Sequence, residues 1–256
     1  MKKISIVTIN LNNKSGLEST IKSVLSQTFR NFEFIIIDGG SNDGSVDIIE
    51  NYANHLTYWK SEKDNGIYDA QNKGILKSTG EYLLFLNSGD VLADDLVLEK
   101  VHTFLHTEDI VYGNMNVLQS DGTLHHLTAP SRVDVELLMI STLWHPASFI
   151  KRSVFDALGL YNTSFKICGD YEFFIRAIIK NGCSSKPIPL TISTFNLGGI
   201  SNQESMKAIE TSEREQAWLL NFSPLVVKTF QDFTSIRRSS QYKWGNVLLS
   251  LLKPFK

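Results

Sequence analysis

The sequence of 256 residues predicts an α/β fold, in which a mixed, mainly parallel sheet is flanked by helices and followed by a helical C-terminal tail. Two observations predict it. Over the first hundred residues, short β-branched runs alternate with segments whose apolar residues recur at helical spacing. Beyond them, short runs meet at an Asp121-Gly122 turn, which is typical of antiparallel strands. No linker, repeat or low-complexity stretch divides the chain, so we predict one mixed domain with its tail.

The individual elements follow from these periodicities in chain order. Strands are predicted at residues 4–10, 32–38, 56–60 and 82–87, and they alternate with helices at 16–27, 45–52, 67–77 and 96–107. The antiparallel part comprises short strands at 110–113, 116–119 and 148–151. Helices at 170–181 and 204–220 flank a last strand at 188–195. The sheet is therefore expected to be wound at least twice.

Composition and charge narrow the class of protein. Lys and Arg number 25 against 27 Asp and Glu, a formal net charge of −2, which excludes a general nucleic-acid binder. The two cysteines, Cys168 and Cys183, form neither a disulfide framework nor a zinc pattern, so a reduced compartment is expected. The apolar run at residues 4–9 is too short and too polar for a signal peptide. We expect a cytoplasmic protein, or one on the inner face of a membrane.

The predicted strand ends carry the residues that suit a ligand site. In open α/β sheets, ligands bind outside the carboxyl ends of the strands. Four successive strands end in runs rich in Asp, Asn or Gly, namely Asn10-Leu11-Asn12-Asn13, Asp38-Gly39-Gly40-Ser41, Glu62-Lys63-Asp64-Asn65-Gly66 and Asn87-Ser88-Gly89-Asp90. Each run alone also fits an ordinary turn or helix cap. Together they predict one binding edge.

Two of these runs have a more specific interpretation. Asp90 follows a buried apolar strand and is a candidate ligand for Mg²⁺ or Mn²⁺, which need only one or two carboxylates beside substrate phosphates. The alternative is that Asp90 caps the helix near Asp94. The glycines after Asp38 match neither the G-x-G-x-x-G fingerprint nor a P-loop. Asp38 is left to contact a ribose or base.

Asp170 and Glu172 stand two positions apart at the start of a predicted helix, so their side chains point in different directions. One is expected to face a cleft and the other solvent. A helix cap is the alternative for Asp170. His145, in Trp144-His145-Pro146, fits a core or surface histidine as well as a ligand.

The motifs occur in the order seen in family 2 glycosyltransferases, which the chain resembles over about residues 3–201. They include Phe34-Ile35-Ile36-Ile37-Asp38-Gly39-Gly40-Ser41, Asp64-Asn65-Gly66-Ile67-Tyr68-Asp69-Ala70, Leu86-Asn87-Ser88-Gly89-Asp90 and Gly169-Asp170-Tyr171-Glu172. The resemblance is to the branch that builds bacterial O-antigen and capsule units. It implies a Rossmann-like GT-A fold, a nucleotide-sugar donor, a divalent metal ion (Mn²⁺ or Mg²⁺) and an inverting transfer to a saccharide or polyprenyl-linked saccharide.

The resemblance also implies roles for individual residues. Asp170 matches the catalytic base, and Asp90 matches the metal ligand. The implied donor contacts are Thr8, Asn10, Asp38, Asp64, Asn87 and Ser88. The implied acceptor side comprises His145, Glu172, Gly198 and Gly199. In domain terms, residues 1–220 form the GT-A domain, with a nucleotide-binding half at 1–113 and an acceptor half at 114–220.

The chain departs from the family pattern at the metal motif and at a position that contacts the nucleobase of the donor. Asn87 replaces the first Asp of the Asp-x-Asp motif, whose third position is Gly89. Gly39 replaces a second Asp that often reads uracil, so UDP is expected with less support than a nucleotide in general. Two alternatives stay open: a catalytically inactive nucleotide- or carbohydrate-binding homologue, and a sugar nucleotidyltransferase, although the Asn10 run lacks the basic Gly-rich loop of the latter.

The tail, residues 221–256, ends in a basic amphipathic segment. From Ile236 onward it carries five cations and no acid, with apolar residues at helical spacing. Such a segment fits an anionic membrane surface, and it fits equally a protein surface, including that of a second subunit in a homodimer.

Overall fold

The computed structural model describes residues 3–119, 121–197 and 204–239. Gly198, Gly199 and residues 240–256, which hold most of the basic amphipathic segment, lie outside the described residues.

Across the described ranges, nine strands form one mixed sheet in the order β3-β2-β1-β4-β8-β6-β9-β5, and β7 pairs with β6. The strands are β1 Ile4–Asn10, β2 Phe32–Asp38, β3 Tyr58–Ser61, β4 Tyr82–Phe85, β5 Val91–Leu92, β6 Ile110–Leu118, β7 Leu124–Leu127, β8 Ser148–Lys151 and β9 Ser185–Asn196. The strands β3, β2, β1 and β4 are all parallel, whereas β8 is antiparallel to both β4 and β6. The parallel strands therefore end at one edge, as the sequence predicts.

The helices lie on both faces of this sheet. They are α1 Lys14–Leu25, α2 Ser45–Tyr52, α3 Ile67–Lys77, α4 Val97–Val101, α5 Val135–Ile140, α6 Arg152–Leu158, α7 Gly169–Phe174, α8 Lys207–Asn221 and α9 Pro224–Arg238. Single 3₁₀ turns cover Ala53–His55, His102–Phe104, His145–Ala147 and Glu204–Met206, and α7 continues as a π-helical segment, Ile175–Lys180. The predicted mixed α/β class with a helical C-terminal part is confirmed.

The core lies on both faces of the sheet because the central strands are apolar on both sides. Ile4 and Ile6 of β1 belong to a cluster with α1, whereas Val7 belongs to a second cluster with Phe85 and Phe173 of α7. Burial on both faces is what parallel strands between two helical layers require. Both faces of the central strands are therefore covered, whereas their carboxyl ends stay open to a ligand.

The boundaries differ from prediction where long-range contacts decide them. The predicted strands at 110–113 and 116–119 are one strand, β6, whose pairing with β9 is irregular beside Gly113. A Cβ atom on Gly113 would lie 2.5 Å from the carbonyl oxygen of Leu190, so only glycine fits this close approach. The sequence did not predict β5, β7, α5 or α6, which are all short.

The described part of the tail packs on the domain. Arg237 of α9 pairs with Glu136 of α5 at 3.2 Å, and the rings of Phe222 and Phe230 contact Trp218 of α8. None of the helices in the described ranges is long and apolar enough to span a bilayer. The boundary at residue 113 between the nucleotide-binding and acceptor halves, and the boundary at residue 220 before the tail, stay predictions. The sheet itself marks no division between the halves, because β6 and β9 belong to the same sheet as β1 to β4.

Candidate active site

The carboxyl ends of β1 and β4 open into a cleft of about 960 Å³ that both halves of the chain line. The predicted site residues on its wall are Asn10, Asp64, Asn87, Ser88, Asp90, His145 and Asp170. The sheet brings them together because the parallel register places the strand ends side by side, with Asn10 opposite Asp38. Gly198 and Gly199 lie outside the described residues.

Asp170 lies in the first turn of α7, and its carboxylate faces the cleft. Oδ1 accepts hydrogen bonds from the Tyr68 hydroxyl at 3.0 Å and from the Tyr171 backbone N–H at 2.9 Å. Oδ2 lies 3.2 Å from Nδ1 of His145. The residue that precedes the helix is Cys168, so Asp170 is not the helix cap. Burial, followed by the charge of Asp170, raises the pKa of Tyr68 well above its usual value, which keeps the phenol a donor.

His145 begins a 3₁₀ turn and bridges two elements. Its Nε2 atom lies 3.1 Å from Nδ2 of Asn87, whose Oδ1 accepts from Gln71 at 3.3 Å. Burial lowers the pKa of His145, but the hydrogen bond and charge of Asp170, with the charge of Asp90, outweigh it and leave that pKa raised. The ring is therefore part of the site and not a bystander in the core.

Asp90 is 4% exposed and lines the cleft. Burial raises its pKa to about 6, although the charge of His145 and a hydrogen bond from the Asn196 N–H oppose the shift. Asp90 does not cap α4, because the Leu96 N–H is bound by Asp94. The Asn196 N–H donates to Oδ1 at 3.2 Å, and because burial outweighs this bond and the charge of His145, the ionised carboxylate is only partly stabilised by the groups around it.

A divalent cation would compensate this charge. No group of three or more His, Cys, Asp or Glu side chains in the described ranges could hold a metal by itself. One carboxylate in a cleft nevertheless fits Mg²⁺ or Mn²⁺ when phosphate oxygens and water complete the shell. Asp90 fits such a shared site.

Thr8 and Asp38 do not line the cleft, and their contact with the donor stays a prediction. The Thr8 hydroxyl donates to the Leu86 carbonyl at 2.7 Å. Asp38 is fully buried and accepts from Asn10, Ser41 and Ser61. Burial alone would raise the pKa of Asp38, but these hydrogen bonds hold it below its usual value. The hydrogen bonds of both side chains hold the neighbouring strand ends together.

Glu172 likewise does not line the cleft, and its place on the acceptor side stays a prediction. Its carboxylate accepts from Arg176 Nε at 3.1 Å and from Asn221 Nδ2 at 2.9 Å. Asp170 and Glu172 do point in different directions, as their spacing predicts, but Glu172 faces the protein interior and not solvent. The bond from Asn221 ties α7 to α8, and Arg176, which also donates to the Leu160 carbonyl at 2.8 Å, ties the same helix to the loop before residue 161.

Sequence reasoning did not single out Tyr68 and Gln71, which line the cleft, or Glu213, which supports the loop before α7. Tyr68 and Gln71 lie on α3, directly after the Asp64 loop, and that position at the binding edge was a usable signal. Glu213 of α8 accepts three successive backbone N–H groups, at 2.6 Å from Lys166, 3.0 Å from Ile167 and 2.9 Å from Cys168. No local pattern reveals that contact, because 45 or more residues separate the partners.

The mixed sheet, the cleft at the carboxyl ends of its parallel strands and the half-buried His145–Asp170 pair on the wall of that cleft are compatible with a glycosyltransferase of the GT-A class. The sequence model "Glycosyl transferase family 2" matches residues 5–159, more than half of the chain. The chain belongs to this family, and both the predicted family and the GT-A fold are confirmed.

Several proteins of known name are similar over most of the chain. A "PGL/p-HBAD biosynthesis glycosyltransferase" of Mycobacterium bovis is 29% identical over 222 residues, covering 82% of this chain and 85% of that protein. An "Uncharacterized glycosyltransferase" of Mycobacterium tuberculosis is 31% identical over 215 residues, covering 80% and 79%.

Solved structures share the fold. The structure of S. aureus TarS in complex with UDP superposes with a TM-score of 0.63 at 18% identity, over 76% of this chain. The chain spans only 60% of the length of that structure. The mannosyltransferase PcManGT of Pyrobaculum calidifontis, solved with GDP-Man and Mn²⁺, gives a TM-score of 0.59 at 14% identity over 98% of this chain and 81% of its own.

Proposed function

We propose that this glycosyltransferase is an inverting, metal-dependent enzyme that moves a sugar from a nucleotide-sugar donor, with UDP as the nucleotide, to a saccharide or lipid-linked saccharide. The observation that carries the proposal is the carboxylate of Asp170, which faces the same cleft as Asp64 and Asp90. Binding of UDP by TarS, and of GDP-Man with Mn²⁺ by PcManGT, supports a nucleotide sugar and a cation.

Asp170 acts as the general base. A sugar hydroxyl is a poor nucleophile at neutral pH, so a carboxylate must take its proton during attack on the anomeric carbon. The hydrogen bonds from Tyr68 and His145 hold both carboxylate oxygens in place. One displacement inverts the anomeric carbon, and no nucleophilic second carboxylate is needed, unlike in retaining glycosidases.

The donor occupies the half of the cleft formed by residues 1–113. We assign donor contacts to Asn10, Asp64, Asn87 and Ser88, all of which line the cleft. Thr8 and Asp38 support these contacts by fixing the strand ends. Asp90 would hold a divalent cation, which would supply positive charge beside the leaving diphosphate.

The acceptor occupies the half formed by residues 114–220, beside His145 and Asp170. The names of the relatives favour a lipid-linked or surface glycan, since one is a glycosyltransferase of PGL/p-HBAD biosynthesis. A "Cholesterol galactosyltransferase" of Borreliella burgdorferi is 34% identical over 102 residues, which are 39% of this chain and 28% of that protein. A peripheral place on the inner membrane face fits such an acceptor.

The experiment uses the full chain with UDP-GlcNAc, UDP-galactose and GDP-mannose in turn, with Mn²⁺ or with EDTA, and measures release of the nucleoside diphosphate. We expect metal-dependent turnover of at least one donor. Asp170→Asn should lower that turnover by about 10²- to 10⁴-fold, the usual contribution of a general base, and leave binding of UDP intact. Asp47→Asn, at an exposed position on α2, is the matched control.

Each alternative has its own outcome. Nucleotide binding without turnover of any donor identifies the inactive homologue, which Asn87 and Gly89 favour. Pyrophosphate release from a nucleoside triphosphate and a sugar phosphate identifies the nucleotidyltransferase. Full turnover by Asp170→Asn contradicts the assignment of the base, and full turnover in EDTA contradicts the assignment of the metal.

A further inference from the structure

His145 connects the end of β4 to the carboxylate of Asp170. Its Nε2 atom is 3.1 Å from Asn87 Nδ2, and its Nδ1 atom is 3.2 Å from Asp170 Oδ2. Gln71 holds the other end of the Asn87 side chain from α3. The hydrogen bonds therefore run without a break from α3, through the loop after β4, to the first turn of α7.

The two oxygens of Asp170 have different side-chain partners. Tyr68 donates to Oδ1, and His145 is positioned to donate from Nδ1 to Oδ2. Nδ1 carries a proton in one neutral tautomer of histidine and in the imidazolium ion, so this bond does not depend on the charge of the ring. Two donors on two oxygens fix the rotation of the carboxylate, which a base needs in order to face a hydroxyl.

We propose that His145 is a positioning residue for Asp170, and that Asn87 in turn positions His145. The inference rests on the proposed role of Asp170 as the base. It also explains the departure at Asn87: a neutral amide donates to a bare Nε2 or, after rotation, accepts from a protonated one. A carboxylate at position 87 would attract a proton to Nε2 and place an imidazolium ion against Asp170, which lowers the basicity of the base.

A pair of matched variants separates positioning from simple packing. The amide nitrogen of Asn overlays Nδ1 of histidine, whereas the amide of Gln reaches the position of Nε2. His145→Asn therefore keeps a donor for Asp170, and His145→Gln keeps only the contact with Asn87. For the donor with the highest turnover, we expect His145→Gln to lower kcat by about 10- to 100-fold, the effect of misplacing a reacting group by about 1 Å.

In the same assay His145→Asn should recover most of that kcat, and both variants should keep the KM for the donor and the Kd for UDP of the unaltered chain. Equal loss of kcat in the two variants would overturn the proposal. So would a loss that appears in the KM, because that result would make His145 a binding residue for the donor.

A second measurement needs no turnover. The ¹⁵N chemical shifts of the His145 ring report the hydrogen bond at Nδ1, and Asp170→Asn should change them. His102, which stacks on Phe29 and bonds the Glu99 carbonyl, is the internal control that should not change. Unchanged His145 shifts overturn the inference even if Asp170→Asn is inactive. If the shifts change but Asp170→Asn keeps full turnover, the contact between His145 and Asp170 exists and the proposed role of Asp170 as the base is wrong.

Discussion

The Oδ2 atom of Asp64 lies 2.5 Å from the position that a Cβ atom would occupy on Gly39. The other oxygen, Oδ1, accepts from the Gly66 N–H at 3.0 Å and so anchors the side chain. The Asp64 carboxylate thus fills the space that a side chain at position 39 would need. Position 39 therefore has no room for the family's second Asp while Asp64 keeps this orientation.

We predict that Gly39→Ala weakens UDP binding because the new methyl group displaces Asp64. Gly39 has no positive φ, unlike Gly40 at 83°, so alanine adds no backbone strain there. Loss of a hydrogen bond to a charged group should cost about 10-fold in Kd, measured by calorimetry.

A double-mutant cycle tests the physical reason. If Gly39→Ala acts through Asp64, then Gly39→Ala combined with Asp64→Ala binds UDP no more weakly than Asp64→Ala alone. Additive losses would mean that Gly39 contacts the nucleotide by itself. Thermal unfolding of each variant serves as the control for folding.

Asp90 supports a prediction about stability and pH. Its folded-state pKa, about 6, lies above its ordinary value of 3.8, so the folded chain binds the proton more tightly than the unfolded chain does. The free energy of unfolding should therefore fall as the pH rises from about 4 to about 6. Asp90→Asn in EDTA should raise the free energy of unfolding at pH 7 by about 2 to 3 kcal/mol, with no gain below pH 4.

The same variant tests the metal. Mn²⁺ with UDP should raise the melting temperature of the unaltered chain but not that of Asp90→Asn, which lacks the hard ligand. Asp121→Asn, in an exposed turn, is the matched control for both measurements. A destabilised Asp90→Asn variant in EDTA would show that the buried carboxylate has partners that offset its burial.

Much of the parallel half could be predicted because its signals are local. The bounds of β1, β2, α2 and α3 agree with prediction, since β-branched runs and helical spacing are read over a few residues. Which of Asp170 and Glu172 faces the cleft could not be predicted from nearby residues. It depends on Asn221, 49 residues away on α8, which binds Glu172 and leaves Asp170 to face the cleft.

The same limit applies to Thr8 and Asp38. Strand-end position predicts that such side chains lie near a ligand, but not whether their hydrogen bonds are already satisfied. Asp38 receives its bonds from three different segments, and Thr8 reaches a carbonyl 78 residues away. Only the tertiary structure reveals that these groups are saturated.

Glu213→Gln should lower both the stability and the kcat of the enzyme. The carboxylate accepts backbone N–H groups from residues 166 to 168, immediately before the helix that carries Asp170. An amide cannot accept at both ends, so at least one buried N–H loses its partner, at a cost of about 1 to 3 kcal/mol. Glu215→Gln, two positions further along the same helix and exposed, is the matched control. Unfolding by urea and donor turnover measure the two effects, and an unaltered kcat would separate this loop from the base.

The last prediction concerns the tail beyond the described residues. Residues 240–256 hold Lys243, Lys253 and Lys256 without an acid, and Trp244, Val247, Leu248, Leu251 and Leu252 recur at helical spacing. Each cation near anionic lipid contributes about 1 kcal/mol to binding, and Trp side chains favour the headgroup region. We expect the full chain to co-sediment with vesicles containing anionic lipid at low salt, and a chain ending at Ser239 to remain in solution. That end point retains the pair between Arg237 and Glu136, so α9 keeps its contact with α5 in both forms. Binding should also weaken as salt rises, because the lipid charge is screened.

Equal sedimentation of the two forms would show that a surface other than residues 240–256 binds the vesicles. If neither form sediments, the apolar residues of the tail pack on protein and not on lipid. Analytical ultracentrifugation of the same two chains then distinguishes two cases. The tail packs within the monomer if both chains are monomeric, and it forms a homodimer if only the truncated chain is monomeric.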